Sequence, residues 1–434
     1  ERFVGLVIAS AKKTIPRGHR DEYIPCWNEE SDRLYREFLT NECQDTADKL
    51  LLSLDEARKN KWTQSVESMD FKHSSRKAWS LLRKLGSAKP PPPSKPTLDP
   101  NRIAAHMVNL SKGKTQKLFT MSIQKKYKAL RSSTASNDQY SSPFSTSELN
   151  DAMKTLKGGT AAGVDEIYPE FLKNSGPNTR TWLKIFYSNI LSSNKLPSSF
   201  KKSKIIALLK PHKPEDCPES YRPVALLSVS LKLLERLILN RIGPVIDRVI
   251  PQEQAGFRKQ RSCTDQVIAL TNFIEDGFQQ QLKTAAVFVD LKAAYDTVWK
   301  KGLLYKLLKV VPCIKICNLI NSMLSDRLFN VNLNDRTSKT RKLNDGLPQG
   351  SVLAPTLFNL YIYDLPLSIS RKFIYADDMV FAYQHKLFSE LEQTLTLDLH
   401  GLSIFCKNWR LIPSPAKTEV NCFHLNNNEA ERKL

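Results

Sequence analysis

The stretch 373–383 reads Phe-Ile-Tyr-Ala-Asp-Asp-Met-Val-Phe-Ala-Tyr and places two adjacent carboxylates, Asp377 and Asp378, between two short apolar runs. The runs are rich in the aromatic and β-branched residues that strands prefer, so the pattern predicts a β-hairpin with both acids at its tip. In a tight turn both carboxylates can lean toward one ion. An Asp-Asp pair by itself is, however, also typical of an ordinary solvated turn.

A third carboxylate, Asp290, follows another apolar run at 284–289. The pattern predicts a strand that ends at this acid and a helix that starts at Leu291, which Asp290 could simply N-cap. A strand end with one acid, beside a hairpin tip with two, would gather oxygen ligands for two hard divalent cations. Mg²⁺ prefers a few carboxylates plus substrate phosphate oxygens, and two such ions stabilise the attacking and leaving oxygens of a phosphoryl transfer.

Between these acids lies the segment 346–355, Gly-Leu-Pro-Gln-Gly-Ser-Val-Leu-Ala-Pro. Taken in chain order, the three blocks resemble the motifs of the reverse transcriptases of non-LTR (LINE-type) retrotransposons, most of all the jockey-type elements of insects and arthropods. The resemblance runs from about Phe144 to Val420. It implies an RNA-directed DNA polymerase with an α+β, right-hand polymerase fold, in which fingers and an antiparallel palm sheet packed on helices follow a helical extension.

The resemblance implies a reaction in which a primer 3′-hydroxyl attacks the α-phosphate of a dNTP and pyrophosphate leaves. Two Mg²⁺ ions, with Mn²⁺ as a substitute, would be held by Asp290, Asp377, Asp378 and the backbone carbonyl of Leu291. Lys417 matches the lysine that protonates the leaving pyrophosphate as a general acid. Two prolines precede it where the family usually has an Asn-containing turn, which is a departure from the pattern.

Five residues match positions that contact the incoming nucleotide in this family. Arg222 corresponds to the arginine that grips the triphosphate, a role suited to a planar guanidinium that binds two phosphate oxygens. Lys210 and Lys213 lie in the preceding loop, either as further phosphate contacts or as solvated lysines. Tyr295 matches an aromatic gate that excludes a 2′-hydroxyl, or else is a packed helix tyrosine, and Gln349 lies near the template base and the nucleotide.

Four further residues are predicted to lie along the template and primer. Gly163, in a glycine-rich loop at 157–167, and Gly350 would let the backbone approach nucleic acid closely, although an ordinary flexible loop or turn looks the same. Ser351 shares that segment with Gly350. Arg258 falls on a characteristic position of the family's segment before the palm.

The charge balance of the chain favours a polyanionic partner. Its 434 residues include 65 Lys and Arg against 44 Asp and Glu, a formal net charge of +21. Such an excess points to nucleic acid, here an RNA template and a DNA primer or target DNA, in addition to dNTPs. An anionic membrane surface could accept the same charge, but the sequence has no apolar stretch long enough to span a bilayer.

The eight cysteines are scattered and have no zinc-ligand spacing, so we expect free thiols in a reducing compartment. Without a signal peptide or a membrane segment, the cytoplasm and the nucleus are the expected locations. Because the resemblance stops short of the thumb, we expect a partial chain. An endonuclease domain is expected upstream in the full-length element protein.

Composition and the resemblance divide the chain into four regions. A Pro-rich stretch at 89–96 cannot continue a helix and predicts a semi-rigid linker. The regions are a basic helical N-terminal extension (1–88), the Pro-rich linker with a basic segment (89–143), the fingers with the first part of the palm (144–280), and the palm (281–434).

Periodicity and turn residues predict several element boundaries. One long amphipathic helix is expected at 31–62 and a second helical segment around 66–85. A basic run at 111–131 precedes a loop at 131–138. The pattern Ser145-Thr146-Ser147-Glu148 is a capping box that should start a helix through Leu156.

Farther along the chain, strands are expected at 204–209 and 221–227, as a hairpin that would close over the nucleotide. A helix at 230–242 should stop at Gly243-Pro244. The basic loop 254–265 should cap another helix, and 420–423 would begin the primer-grip hairpin.

Three other readings compete with this one. An RNA-dependent RNA polymerase shares the acids, but its turn usually reads Gly-Asp-Asp and it lacks an aromatic gate at position 295. A group II intron maturase shares most of the motifs. A catalytically decayed element could persist as an RNA-binding protein, against which the intact Asp290, Asp377 and Asp378 argue.

Overall fold

The computed structural model describes residues 2–14, 26–67, 98–113, 116–334 and 336–426. Its contacts divide the chain into two units, Ala9–Lys95 and the remainder. The predicted helical segment around 66–85 lies mostly outside the described residues, as does the Pro-rich linker. Within the described ranges, no helix combines the length and apolar character needed to cross a membrane.

Helices dominate the described chain. The α-helices are α1 (Arg2–Thr14), α2 (Glu29–Asn41), α3 (Gln44–Glu67), α4 (Pro100–Leu110), α5 (Lys117–Ser133), α6 (Asp138–Ser141), α7 (Thr146–Lys154), α8 (Pro169–Lys173), α9 (Pro177–Ser193), α10 (Val229–Val249), α11 (Cys263–Gln279), α12 (Ala294–Thr297), α13 (Lys300–Val310), α14 (Ile314–Leu324), α15 (Ala354–Ile362) and α16 (Phe388–Asn408). Short 3₁₀ turns occur at Ser198–Lys201, Pro218–Ser220 and Pro415–Lys417.

The strands form two sheets. They are β1 (Lys202–Leu209), β2 (Tyr221–Leu226), β3 (Lys283–Val289), β4 (Arg327–Leu333), β5 (Arg336–Thr337), β6 (Arg341–Leu343), β7 (Arg371–Tyr375), β8 (Asp378–His385) and β9 (Glu419–Phe423). A five-stranded mixed sheet has the order β2-β1-β4-β5, with β6 also paired to β4 and with β1 and β4 parallel. A four-stranded, fully antiparallel sheet has the order β7-β8-β3-β9. The protein is therefore of mixed helix and sheet class, as predicted.

The four-stranded sheet is covered on both faces. One face joins the largest hydrophobic cluster, to which β3 contributes Val287 and Val289 and α13 contributes Leu303 and Leu307. The other face packs with α11 through Phe273. A separate cluster joins the five-stranded sheet to α4. Because β3 is enclosed on both sides, its apolar run is continuous rather than alternating, and its end is fixed in position.

Several local predictions are confirmed. The capping box forms as expected, since the Ser145 hydroxyl accepts from the Glu148 amide at 3.1 Å and the Glu148 carboxylate accepts from the Ser145 amide at 2.8 Å. A second capping box, between Ser262 and Asp265, starts α11 after the basic loop. Strands β1 and β2 pair as the expected antiparallel hairpin. All eight cysteines are free thiols.

The single long helix predicted at 31–62 is wrong, because the chain breaks between α2 and α3. Glu42 adopts a left-handed conformation with φ 45°, and its amide donates to the Phe38 carbonyl, which ends α2. The Thr46 hydroxyl then donates to the Cys43 carbonyl at the start of α3. Tyr35 and Leu39 of the expected apolar face are exposed.

Two other boundaries differ from the prediction because packing overrides local signals. The helix predicted to stop at Gly243-Pro244 continues to Val249, since Ile242 and Ile246, on either side of the proline, are both fully buried. An internal proline costs one helical hydrogen bond, and the burial beyond it offsets that loss. Likewise α5 continues to Ser133 and shortens the loop predicted at 131–138.

Gly163 approaches protein backbone very closely. A Cβ at this position would lie 2.6 Å from the Ser228 nitrogen and 2.7 Å from the Leu227 carbonyl carbon. Nearby, Asp165 is buried and accepts from the Ser228 hydroxyl at 2.5 Å. The absence of a side chain at Gly163 is thus required by the contact between the glycine-rich loop and the start of α10.

We expect Gly163→Ala to lower the free energy of unfolding by about 1–3 kcal/mol, because backbone atoms must move to admit the methyl group. Gly176→Ala is the matched control, since a Cβ there meets nothing within 4 Å. That control should change stability by less than about 1 kcal/mol. Urea denaturation of both variants measures the difference, and equal stabilities would contradict the steric argument.

Candidate active site

The predicted hairpin with acids at its tip is confirmed. Strands β7 and β8 pair in antiparallel register, with Tyr375 opposite Asp378, so Ala376 and Asp377 form a two-residue turn. Ala376 has φ 60°, and a positive φ at only the first central residue is the pattern of a type II′ turn, which glycine usually provides. The alanine is therefore strained and needs support from its surroundings.

A buried glutamine supplies that support. The Gln254 amide nitrogen donates to the Ala376 carbonyl at 3.0 Å, and its amide oxygen accepts from the amides of Ala376 at 2.9 Å and Gly256 at 2.7 Å. A Cβ on Gly256 would lie 2.2 Å from the Ala376 nitrogen. We call these contacts of Gln254 and Gly256 with Ala376 the turn clamp. The sequence gave no signal for this contact.

Strand pairing brings the third acid to the hairpin tip. In the β3–β8 register Val289 lies opposite Met379, so Asp290 leaves β3 next to the turn that carries Asp377 and Asp378. The Asp290 carbonyl accepts from the Ser414 amide at 2.8 Å. The alternative, in which Asp290 N-caps a helix that starts at Leu291, is wrong. Helix α12 begins only at Ala294, after a left-handed residue at 293.

Lys417 contacts this acid directly. Its Nζ lies 2.8 Å from Asp290 Oδ2, and the lysine side chain is 67% exposed. The two prolines before it do not displace it. Pro413 pairs with Leu291, Ser414 is buried, and the 3₁₀ turn Pro415–Lys417 then directs the chain back over Asp290.

The three carboxylates share one electrostatic environment. Burial raises the pKa of Asp377, and the negative charges of Asp378 and Asp290 raise it further, while Lys417 acts in the opposite direction. Burial and Asp290 also raise the pKa of Asp378. The three carboxylates therefore repel one another, and the positive charge of Lys417 compensates this repulsion only in part.

Carboxylate oxygens are suitable ligands for a hard divalent cation, but the three side chains do not have the geometry of a metal-binding site. Across the described ranges, no group of three or more His, Cys, Asp or Glu side chains has a geometry that could hold a metal ion. One oxygen of Asp290 is engaged by Lys417 instead. The three carboxylates predicted to bind Mg²⁺ are thus brought together, and the ammonium of Lys417 lies against one of them.

Cations of the β1–β2 hairpin lie near this group. Burial lowers the pKa of Lys210, and the charges of Lys417, Arg222 and Lys213 lower it further, so each of these three cations lies within electrostatic range of Lys210. The Lys210 ammonium donates to the Glu219 carbonyl at 2.8 Å. Arg222 is exposed and lies opposite Leu208 in the hairpin. Lys210 therefore links the cations of the hairpin to Lys417.

Tyr295 lies in α12, half-buried among aromatic rings. It stacks on Phe358 with ring centroids 4.8 Å apart and contacts Phe257 edge-on at 6.4 Å. Its hydroxyl is buried and has no hydrogen-bond partner among the described residues. Burial raises the pKa of the phenol, as does the nearby charge of Asp377. Tyr295 is thus packed and also adjacent to the acidic turn.

The segment 346–355 is held by protein contacts on both sides. The Gln349 carbonyl accepts from the Ala225 amide at 2.9 Å, and its side-chain amide donates to Asp296 Oδ2 at 3.1 Å. Gly350 has φ 121°, and a Cβ there would lie 2.6 Å from the Ala225 carbonyl oxygen. The close approach at Gly350 is therefore to strand β2, and any approach of nucleic acid to it stays a prediction.

Ser351 and Arg258 form hydrogen bonds within the protein, and their predicted contacts with template or primer stay predictions. The Ser351 side chain is buried and donates to Glu235 at 2.7 Å. The Arg258 guanidinium bonds Asp247 at 2.7 Å and the carbonyls of Pro251 and Gln254. Both side chains hold the segments that carry Gln349 and Gln254.

A buried charge network beneath this segment was missed by sequence reasoning. Glu235 accepts from Ser351 and, at 2.7 Å, from the Val352 amide, and burial raises its pKa. Burial also raises the pKa of Asp296 to about 6. Arg327 lies near both acids, and burial lowers its pKa to about 10 while they oppose the change. Because the residues of this network are far apart in sequence, no local sequence pattern predicts the network.

The segment 420–423, expected to begin a primer-grip hairpin, is a strand and forms part of β9 at the edge of the four-stranded sheet. Val420 lies opposite Val287 of β3. The pairing places Lys417 just before the strand beside Asp290. The hairpin itself stays a prediction, because the residues after 426 lie outside the described part of the chain.

Comparison with known proteins agrees with this geometry. Residues 209–431, half of the chain, match the family described as reverse transcriptase (RNA-dependent DNA polymerase). The chain belongs to this family. Its relatives place it with the non-LTR retrotransposon enzymes, which confirms the resemblance seen in the sequence.

Three relatives, all from fruit flies, illustrate the match. A probable RNA-directed DNA polymerase from transposon BS of Drosophila melanogaster is 36% identical over 294 residues, 65% of this chain and 32% of the relative. The RNA-directed DNA polymerase from mobile element jockey of Drosophila funebris is 33% identical over 52% of this chain and 25% of the relative. A probable RNA-directed DNA polymerase from transposon X-element of Drosophila melanogaster is 28% identical over 65% and 32%, respectively. The chain thus spans about a third or less of these relatives.

We expect Gln254→Ala to loosen the acidic turn, because the Ala376 and Gly256 amides lose their shared acceptor. Leaving buried amides unpaired costs about 1–3 kcal/mol, so exchange of the Ala376 amide hydrogen should accelerate about tenfold or more. Hydrogen exchange with mass spectrometry measures it. The exposed Gln139, substituted by alanine, is the control, and protection at 376 that is equal in both variants would contradict the turn clamp.

Asp296 should make stability depend on pH. Its folded pKa of about 6 exceeds the ordinary 3.8, so the stabilisation is complete below pH 4 and is lost as pH rises through 6. We expect wild-type stability to fall by on the order of 2 kcal/mol from pH 4 to 7 relative to Asp296→Asn, which keeps an acceptor for Gln349. Urea denaturation across this range gives the comparison. Parallel pH profiles would show that Asp296 ionises normally.

Proposed function

We propose that this chain is the polymerase portion of a non-LTR retrotransposon protein, an RNA-directed DNA polymerase that adds dNTPs to a primer 3′-hydroxyl on an RNA template. One observation carries the proposal. The β3–β8 pairing gathers Asp290, Asp377 and Asp378 at one sheet end, next to Lys417 and the cations of the β1–β2 hairpin.

In this proposal the four-stranded sheet is the core of the palm and the five-stranded sheet belongs to the fingers. The proposed fingers and palm regions keep the boundaries 144–280 and 281–434, although β4 adds a strand from the palm region to the fingers sheet. The helical extension (1–88) and the linker with its basic segment (89–143) precede them. An upstream endonuclease domain in the full-length protein remains part of the proposal.

The carboxylates of Asp290, Asp377 and Asp378, with the Leu291 carbonyl, would hold the metal ions. Two Mg²⁺ ions, or Mn²⁺ in their place, supply stabilisation of the negative charge that develops in phosphoryl transfer. Mutual repulsion among the acids supports this, since it favours binding of added positive charge.

Lys417 is poised for proton transfer. Its ammonium is held at Asp290 and is exposed, so a departing pyrophosphate within reach can accept its proton. Arg222, with Lys210 and Lys213, would bind the triphosphate through charge-assisted hydrogen bonds.

Tyr295 and Gln349 would select the nucleotide. The Tyr295 ring is held by Phe358 on one face and by Phe257 at its edge, which fixes its position next to Asp377. A fixed ring under the sugar excludes a 2′-hydroxyl by contact. Gln349 is fixed by Asp296 and Ala225, so its position relative to the base pair is defined before substrate binds.

Primer extension with Mg²⁺ on matched RNA and DNA templates tests the proposal. We expect dNTP addition on RNA, a requirement for Mg²⁺ and little addition of rNTPs. Binding to RNA without extension would support the decayed RNA-binding alternative. Extension with rNTPs in preference to dNTPs would instead indicate an RNA-dependent RNA polymerase.

We expect Arg222→Ala to raise the KM for dNTP about 10- to 150-fold, the value of a charge-assisted contact worth about 1.5–3 kcal/mol. The kcat should change less, since Arg222 touches no acidic residue of the turn. Steady-state kinetics at saturating primer and template measures both constants. Arg336→Ala, in the same sheet, is the control, and an equal KM in the two variants would remove Arg222 from the nucleotide site.

We expect Tyr295→Val to raise the ratio of rNTP to dNTP incorporation by at least tenfold, because a smaller side chain leaves room for the 2′-hydroxyl. Tyr295→Phe keeps the ring and loses only a hydroxyl that has no partner, so its ratio should equal that of wild type. Single-nucleotide extension gives kcat/KM for both substrates. A ratio within about twofold of wild type in the valine variant would make Tyr295 a packing residue only.

A further inference from the structure

A cleft of about 610 Å³ lies between the end of α4 and the segment that follows α16. Its size is within the usual range of small-molecule sites, roughly 300–1,000 Å³. Basic side chains line it from both walls: His106 and Lys112 from the α4 side, Lys407 and Arg410 from the α16 side. No carboxylate of the described chain lines it.

The two walls meet through Arg410, whose position is fixed. The Arg410 guanidinium donates to Asp345 at 2.7 Å and lies 5.2 Å from the Trp299 ring centroid. A Cβ on Gly113 would lie 3.4 Å from the Arg410 Cδ. The Arg410 Nε is buried and has no hydrogen-bond partner in the described residues. A preoriented guanidinium, paired with Asp345, therefore borders the cleft.

Most of the remaining lining is apolar, and Asn109 adds one polar side chain. Leu110, Cys406, Leu411 and Ile412 provide the apolar surface. Lys112 and Lys407 are both exposed, and neither forms an ion pair with another described residue. An apolar floor with a cationic edge is complementary to a ligand that has a flat apolar part and an anionic part.

The cleft is connected to the acidic turn through backbone. The Ile412 carbonyl at its floor accepts from the Lys292 amide at 2.7 Å, and the Ser414 amide donates to the Asp290 carbonyl at 2.8 Å. The floor thus continues directly into the segment that holds Asp290 and Lys417.

We propose that this cleft binds a nucleotide, either free or as one unit of a single strand, with its base on the Leu110–Ile412 floor and its phosphate at Lys112, Lys407 and Arg410. The inference rests on the proposed function, which brings nucleotides and single strands to this surface. Bases contribute through their flat faces and phosphates through charge, so recognition here is independent of sequence.

Direct binding tests the cleft without requiring catalysis. The probes are radiolabelled dATP and a 5′-labelled oligouridine containing 4-thiouridine, both in EDTA so that the metal-dependent site contributes little. The test variant is Lys112→Ala/Lys407→Ala, and the matched control is Lys195→Ala/Lys386→Ala, two exposed lysines outside the cleft. All four lysines are exposed, so thermal stability should be equal in the two variants.

We expect the cleft variant to lose at least tenfold affinity for one or both probes, and the control to stay within about twofold. For the oligouridine, the slope of log K against log salt should fall by about 1–2. Weakening of dATP alone identifies a free nucleotide, and weakening of the oligouridine alone identifies a strand. Crosslinks from 4-thiouridine should map to 106–113 or 406–412.

Unchanged affinity for both probes in the cleft variant would overturn the proposal, as would loss of oligouridine affinity alone with crosslinks confined to other segments. Its failure is distinguishable from failure of the polymerase assignment. Cleft binding without primer extension would contradict only the assigned reaction. Normal extension by a cleft variant with unchanged binding would contradict only the cleft.

Discussion

The register between β3 and β8 is the constraint on which the rest of the site depends. Because Val289 lies opposite Met379, Asp290 emerges beside the turn of Asp377 and Asp378, and a one-residue slip would turn every side chain of a strand to the other face. Pairing of β3 with β8 on one edge and with β9 on the other holds that register. The turn clamp of Gln254 and Gly256 then holds Ala376 in a conformation that alanine rarely adopts.

Electrostatics sets what this arrangement can do. Three acids converge in a chain whose net charge is +21, and their mutual repulsion is only partly relieved by Lys417. The surrounding cations of the β1–β2 hairpin attract phosphates, while the acids attract metal ions. The acids and the hairpin cations therefore present opposite charges a short distance apart. This arrangement is complementary to the positive metal ions and negative phosphates of a metal-bound triphosphate. The second network, at Glu235, Arg327 and Asp296, fixes Gln349 through the Asp296 carboxylate.

Local signals in the sequence predicted what local physics controls. The hairpin at 373–383, the capping box at Ser145, the helix after the basic loop 254–265 and the strand before Asp290 follow from apolar runs and cap residues, and all are found. Elements that tertiary packing decides were not predictable. The proline inside α10 is tolerated because Ile246 is buried, and the break at Glu42 has no strong turn residue to announce it. The partners of Gln254 and Glu235 lie more than a hundred positions away, at Ala376 and Ser351.

The most direct test of the central claim is single-turnover nucleotide addition by Asp290→Asn and Asp377→Asn on an RNA template. Both substitutions preserve side-chain size and remove a charge from the shared acidic group. The account predicts that addition is abolished, while affinity for the primer–template stays within a few-fold because basic residues elsewhere contact the phosphates. Nucleotide addition near the wild-type rate in either variant would contradict the assignment of these carboxylates as the metal-binding residues of the active site.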